Sequence, residues 1–153
     1  MSELRELYQS VILDHNKRPR NFHEPEGANR SAHGFNPLCG DKITVYLDLE
    51  DDIVKDVGFS GSGCAISTAS ASLMTQSIKG KSVGEVQQLF DRFHELVAGD
   101  SSEPADFEKL GKLAVFAGVR EFPVRVKCAT LAWHTMKSAL EGGQESMTPA
   151  KSE

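Results

Sequence analysis

Gly58-Phe59-Ser60-Gly61-Ser62-Gly63-Cys64 runs straight into Ala65-Ile66-Ser67-Thr68-Ala69-Ser70-Ala71-Ser72, and this junction constrains the chain more than any other stretch. A β-branched and aromatic run from Ile53 to Phe59 reads as a strand, three glycines free the backbone, and a helix of small residues begins. Cys64 is therefore expected at a helix N-terminus, where orphan N–H groups and the positive end of the macrodipole favour a thiolate. A second cysteine, Cys39, lies in a Pro37-Leu38-Cys39-Gly40-Asp41 turn just before another strand. Cys128 follows Pro123 and is expected at the start of the last helix. All three cysteines stand at element boundaries, and none lies inside an apolar run where packing alone would explain it.

At 153 residues the chain is long enough to bury a core as a single domain without disulfides. A net charge of −5 argues against a general nucleic-acid binder, which would carry a basic stripe. No uncharged apolar run is long enough for a membrane span. The charged start Met1-Ser2-Glu3-Leu4-Arg5-Glu6 has no apolar region of the kind a secretory signal needs, so a cytoplasmic location is expected. An odd cysteine count in a reducing compartment points to metal binding or catalysis rather than a disulfide framework.

Leu4, Leu7, Tyr8, Val11 and Ile12 recur at helical spacing and predict a first helix over about residues 3–15. Asn16-Lys17-Arg18-Pro19-Arg20 ends it, either as C-terminal capping or as a docking patch for an acidic partner. Residues 21–35 read as mostly loop with room for a short strand. Lys42 to Leu49, the turn Glu50-Asp51-Asp52 and Ile53 to Phe59 form a hairpin, with Ile43, Val45, Leu47 and Leu49 on one face. The small-residue helix runs to about Lys79 and stops at Gly80. Ser82-Val83-Gly84-Glu85 is a capping box, followed by a stripe of Val86, Leu89, Phe90, Phe93, Leu96 and Val97. Further helices are expected over about 106–118 and 126–141, giving an α+β chain. One domain over 1–143 and a disordered tail over 144–153 complete the division.

Cys39 and Asp41 flank one glycine, so a turn can aim both side chains at one point, while Cys64 and Cys128 can arrive from other directions. Three thiolates and a carboxylate would close a tetrahedral shell suited to Zn²⁺, with Arg125 and Lys127 offsetting part of the charge. The spacing matches no zinc-finger or zinc-ribbon pattern, so separate buried thiols remain the competing reading. A cysteine-hydrolase pairing with His94 or His134 lacks an orienting third group. His23 and His33 lie in the loop region and carry no assigned role. Gly80-Lys81-Ser82 resembles the end of a phosphate-binding loop, yet it follows a helix and has Thr75 where the first glycine belongs.

Leu7-Tyr8, Asn36-Pro37-Leu38-Cys39-Gly40-Asp41, Gly61-Ser62-Gly63-Cys64-Ala65-Ile66-Ser67-Thr68-Ala69-Ser70 and Lys127-Cys128-Ala129-Thr130-Leu131-Ala132-Trp133 together resemble the U-type iron–sulfur assembly proteins. These are the IscU scaffolds, the N-terminal domain of NifU, and SufU, and the resemblance covers residues from about 4 to 141. It implies a three-stranded antiparallel sheet packed with about five helices and a metal site at one exposed end. Lys127 stands where scaffold members have His. The stretch between Cys64 and Cys128 is long, with the extra length near Phe93–Val119. Glu121 to Val126 does not reproduce the scaffolds' chaperone-recognition motif. All three point to the SufU branch. That branch implies one Zn²⁺ on Cys39, Asp41, Cys64 and Cys128, with Cys39 as persulfide acceptor from a SufS-type cysteine desulfurase. Arg125 is the group expected to stabilise the displaced thiolate. Downstream iron–sulfur scaffold or acceptor proteins are the implied recipients, and sulfurtransferase-like activity follows if the SufU reading holds. A transient [2Fe–2S] cluster on the same ligands, or a purely structural zinc adaptor, are the competing implications.

Overall fold

The computed structural model describes residues 2–37, 40–98, 113, 116 and 123–141, leaving aside the side chains of residues 2–8, 98 and 123. In chain order it contains α1 (Ser2–Lys17), β1 (Arg30–Asn36), β2 (Asp41–Glu50), β3 (Ile53–Ser62), α2 (Ala65–Ile78), α3 (Val83–Ala98) and α4 (Pro123–Leu140). The strands form one antiparallel sheet in the order β1-β2-β3, so the fold is the α+β arrangement anticipated. The helix expected over 106–118 falls outside the described residues except for Leu113 and Phe116, both buried. The tail expected over 144–153 and Cys39 also lie outside them.

The β2–β3 hairpin turns on Asp51 and Asp52, whose φ values of 53° and 63° put both central residues in the left-handed region. Such a turn matches the right-handed twist of the strands it joins. Ile43, Val45 and Leu47 face the core, as the alternation requires. Leu49 is only half-buried, because the pairing register shifts between Asp48 and Leu49. Strand β3 continues to Ser62, past the Phe59 end read from sequence. Gly61 permits this with φ +134°, since a Cβ there would strike the backbone of Lys42.

β1 is a full seven-residue strand inside the segment read as mostly loop. Arg-Ser-Ala-His-Gly-Phe-Asn has weak intrinsic strand preference. Pairing with β2 from Arg30 opposite Leu47 to Asn36 opposite Asp41 overrides it. Gly34 supplies the space for α4, for a Cβ there would collide with Thr135 and stand 3.1 Å from Leu131 Cδ1.

Helix α4 packs on β1 and β2, α2 packs on β3 and α4, α1 lies on α2, and α3 lies on α4. The core between them holds Val45, Leu47, Leu73, Met74, Ile78, Leu131, Trp133 and Met136, all buried. Each large apolar side chain so buried contributes about 1.5–3 kcal/mol. Trp133 stacks on Phe93 at 4.6 Å between ring centres, and Phe93 meets Phe116 edge-on at 5.7 Å. Ser82 and Glu85 form the expected capping box, with Glu85 N–H donating to Ser82 Oγ at 3.2 Å and Ser82 N–H to Glu85 Oε1 at 3.0 Å.

The seam between α1 and α2 is polar. Ser72 Oγ accepts from Arg20 N–H at 2.9 Å and lies 2.6 Å from Nδ1 of the buried His15, while Asn21 Nδ2 donates to Thr75 Oγ1 at 2.9 Å. Arg20 also pairs with Asp14 at 2.7 Å and donates to the Arg18 carbonyl, so the basic cluster serves in part to close its own helix. Among the described residues no helix is long and apolar enough to cross a membrane.

Candidate metal centre

Cys64 is the N-cap of α2, as its position after the glycines predicts. Its backbone is extended (φ −74°, ψ 171°) and its sulfur accepts from Ser67 N–H at 3.4 Å. Asp41 opens β2 directly across the sheet from Asn36 and is fully buried. Its Oδ1 accepts from Cys64 N–H at 2.9 Å, and its Oδ2 lies 3.9 Å from Cys64 Sγ. Cys128 is 2% exposed. It does not open its helix as expected. α4 begins at Pro123, because proline at a first helical position loses no intrahelical bond, so Cys128 sits in the second turn.

The ligand atoms of Asp41, Cys64 and Cys128 all lie within 4.8 Å of one another. Two sulfurs and a carboxylate oxygen could hold one metal ion. The hydrogen bond with Cys128 is the main cause of a Cys64 pKa lowered to about 6, with the Ser67 and Ile66 N–H groups adding to it. Burial and the Asp41 carboxylate oppose that shift without cancelling it. The balance favours the thiolate form of Cys64 within a largely buried acidic cluster.

Two features that hold the cluster together escaped the sequence reading. Ser70 Oγ, buried on α2, donates to the Ala129 carbonyl at 2.5 Å and so ties α2 to α4 one residue from Cys128. The bland run of serines and alanines carried no sign of it. Gly63 leaves room for the Asp41 carboxylate, and its only sequence signal is a glycine directly before an N-cap.

Other expected residues fall elsewhere. Arg125 is exposed in the first turn of α4 and Lys127 is half-buried. His94 and His134 meet each other at 5.9 Å between ring centres and both contact Phe90, forming an aromatic cluster between α3 and α4. Burial first, then the charges of His94 and Lys137, lowers the His134 pKa to about 4. His33 lies exposed on the sheet with Nδ1 2.8 Å from Thr44 Oγ1, and His23 is exposed. Cys39 is outside the described residues. The connection that contains it is closed by Gly40 N–H donating to the Asn36 carbonyl at 2.8 Å, with Gly40 at φ +72°.

The family model of the NifU-like N-terminal domain matches residues 7–141. The chain belongs to the NifU-like N-terminal domain family. Within this family it is 43% identical over 141 residues to the iron–sulfur cluster assembly scaffold protein IscU of Streptococcus pyogenes serotype M1, covering 92% of this chain and 87% of that one. It is 41% identical over 143 residues to the zinc-dependent sulfurtransferase SufU of Bacillus subtilis strain 168, covering 90% and 93%. The crystal structure of a SufU protein from Fervidobacterium islandicum AW-1, assigned as an assembly scaffold for the SUF system, superposes with a TM-score of 0.78. It shares 34% identity over 85% of this chain and 93% of that one.

Proposed function

We propose that this NifU-like domain, an iron–sulfur cluster assembly protein of the IscU/SufU type, works as a zinc-dependent sulfur acceptor for a SufS-type cysteine desulfurase. The observation that carries this reading is the cluster of Asp41, Cys64 and Cys128, with donor atoms within 4.8 Å. Soft sulfur with one carboxylate is a donor set that suits Zn²⁺, and the spread is small enough for side-chain rotation to bring the donors onto one ion. Cys39, two residues before Asp41, is assigned as the fourth ligand. The ion would keep thiolates deprotonated and shielded from oxidation. The Bacillus subtilis relative, named a zinc-dependent sulfurtransferase, supports the same role.

In the transfer step the Cys39 thiolate attacks the terminal sulfur of the desulfurase persulfide. A new S–S bond forms on Cys39, the donor S–S bond breaks, and the desulfurase cysteine leaves as a thiolate. The proton stays on the transferred sulfur, so no oxidant or reductant is needed. Arg125, exposed three residues before Cys128, is assigned to stabilise the departing charge. Asp41, Cys64 and Cys128 hold the site while Cys39 reacts, and downstream assembly proteins receive the sulfur.

The test is desulfurase turnover. Added to a SufS-type enzyme with cysteine, the chain is expected to raise sulfide release, and Cys39→Ala is expected to abolish that effect while circular dichroism stays unchanged. Equal stimulation by Cys39→Ala would refute covalent relay and favour an adaptor. The Streptococcus pyogenes relative, named a scaffold, supports a second reading in which a [2Fe–2S] cluster is assembled on the same residues. Iron and sulfide in anaerobically purified protein, in place of one zinc, would decide for it.

A further inference from the structure

Asp41 is fully buried at the first position of β2, and its backbone is fixed by pairing with Asn36. Its two oxygens have different neighbours. Oδ1 accepts from Cys64 N–H at 2.9 Å, and Oδ2 lies towards Cys64 Sγ at 3.9 Å. The residue before Cys64 decides whether this arrangement is possible. A Cβ on Gly63 would stand 2.7 Å from Asp41 Oδ1, 3.1 Å from Cγ and 3.3 Å from Cβ. The first separation is shorter than real Cβ atoms adopt, so the carboxylate would have to rotate off the Cys64 N–H.

Backbone conformation does not explain the glycine. Gly40, Gly61 and Gly80 are the described glycines with positive φ, and Gly63 is not among them. Core packing does not explain it either, for Gly63 is exposed. What remains is the space that the Asp41 carboxylate occupies.

We infer that Gly63 is a positioning residue that makes Asp41 a one-oxygen metal ligand, with Oδ1 engaged by the Cys64 N–H and Oδ2 left for the ion. The inference rests on the metal-site reading proposed above. It adds that the strength of the Asp41 ligand is set through its hydrogen-bonded neighbour, as second-shell contacts set other metal ligands. A carboxylate held by one oxygen, with the other bound to a backbone amide, is a ligand that can leave and return without moving the strand.

The experiment uses the full chain loaded with Zn²⁺ and compares Gly63→Ala, Asp41→Ala and the double variant. Gly63→Ala is expected to weaken zinc binding about 10- to 100-fold, the usual effect of losing a second-shell partner, and to show it as faster release to a chromophoric chelator. With Co²⁺ in place of zinc, its ligand-field bands are expected to shift while the thiolate charge-transfer intensity stays constant. In the Asp41→Ala background the same glycine change should alter the release rate by less than about twofold, since the residue it acts through is gone. Release at the parent rate from Gly63→Ala, or an acceleration that persists without Asp41, would overturn the inference. Should Gly63→Ala fail to fold, the Cys64 amide proton resonance still decides. It is expected to move upfield in Asp41→Ala, and an unmoved resonance would also overturn the inference. A parent chain that binds neither Zn²⁺ nor Co²⁺ would refute the metal reading itself, a result distinct from all of these.

Discussion

Asp41→Ala is expected to stabilise the metal-free protein and destabilise the zinc-loaded one. The carboxylate has no exposure to solvent, and its contacts with the described residues include the Cys64 N–H at 2.9 Å on Oδ1 and the Cys64 sulfur at 3.9 Å on Oδ2. Removing an ionised carboxylate from water costs several kcal/mol after relaxation. A hydrogen bond to a charged group returns about 1.5–3 kcal/mol. The Cys64 sulfur 3.9 Å away is mainly thiolate at pH 7.5, given its pKa of about 6. Two full charges at about 4 Å repel by about 4 kcal/mol at an effective dielectric near 20. Cys64 shares its charge with Cys128 and is partly solvated, so only a fraction of that repulsion applies. The freed Cys64 N–H is next to the exposed Gly63 and can be hydrated. The balance left for Asp41→Ala to recover is on the order of 1–3 kcal/mol. For a domain of this size that is roughly 3–10 °C in Tm. With zinc bound the sign reverses, because the carboxylate then faces a dication and its loss removes a ligand. Thermal unfolding by circular dichroism, in chelator and reductant and again with one equivalent of Zn²⁺, reads both signs. A variant that melts lower than the parent by the same amount in both conditions would refute the reasoning and make Asp41 an ordinary structural acceptor.

The remaining expectations concern the fold that carries the site. His134, with a pKa lowered to about 4 mainly by burial, is neutral in both states above the unfolded value near 6.5. Below it the unfolded chain binds a proton that the folded chain refuses, so stability should fall as pH drops from about 6.5 to about 4, by on the order of 2 kcal/mol after solvent screening. His134→Phe should flatten that window in urea titrations of the metal-free protein, and an unchanged pH slope would contradict the assignment. Gly34→Ala forces a methyl against Thr135 and Leu131 and should cost about 1–3 kcal/mol in urea unfolding. A neutral result would mean that α4 can lift from β1 freely.

What could be read from the sequence divides along physical lines. Local chemistry was legible: Cys64 as an N-cap after a glycine-rich strand end, the Ser82–Glu85 capping box, and the Asp51-Asp52 turn depend on neighbours within a few residues. β1 was poorly legible, because its pairing partner lies in β2 and its own residues do not favour a strand. The last helix is expected from about residue 126, but α4 starts at Pro123, which proline's tolerance of the first helical position permits. The meeting of Cys64, Asp41 and Cys128 could be suspected from their chemistry, and became specific only through the resemblance of the surrounding blocks. Gly63 and Ser70 were invisible as site residues. One acts by having no side chain and the other through a carbonyl 59 residues away, and neither property has a local pattern.

The construction of the cluster bears on how the proposed metal would be held. The described candidate ligands come from three elements: the start of β2, the N-cap of α2 and the second turn of α4. The sheet fixes the first, the Ser67 N–H fixes the second, and the Ser70–Ala129 hydrogen bond sets the third relative to the second. None of these contacts uses a metal. The scaffold therefore holds acidic groups together that repel one another, and an arriving dication relieves the repulsion. Release of one ligand restores only part of that cost, since the remaining donors still share the ion. Cys39 and Asp41 flank Gly40 in the sequence, and Asp41 is held by the sheet. Under the proposed function, exchange is expected at Cys39, the thiol assigned to react, whereas Asp41, Cys64 and Cys128, each held by the contacts above, are expected to keep the proposed ion in place.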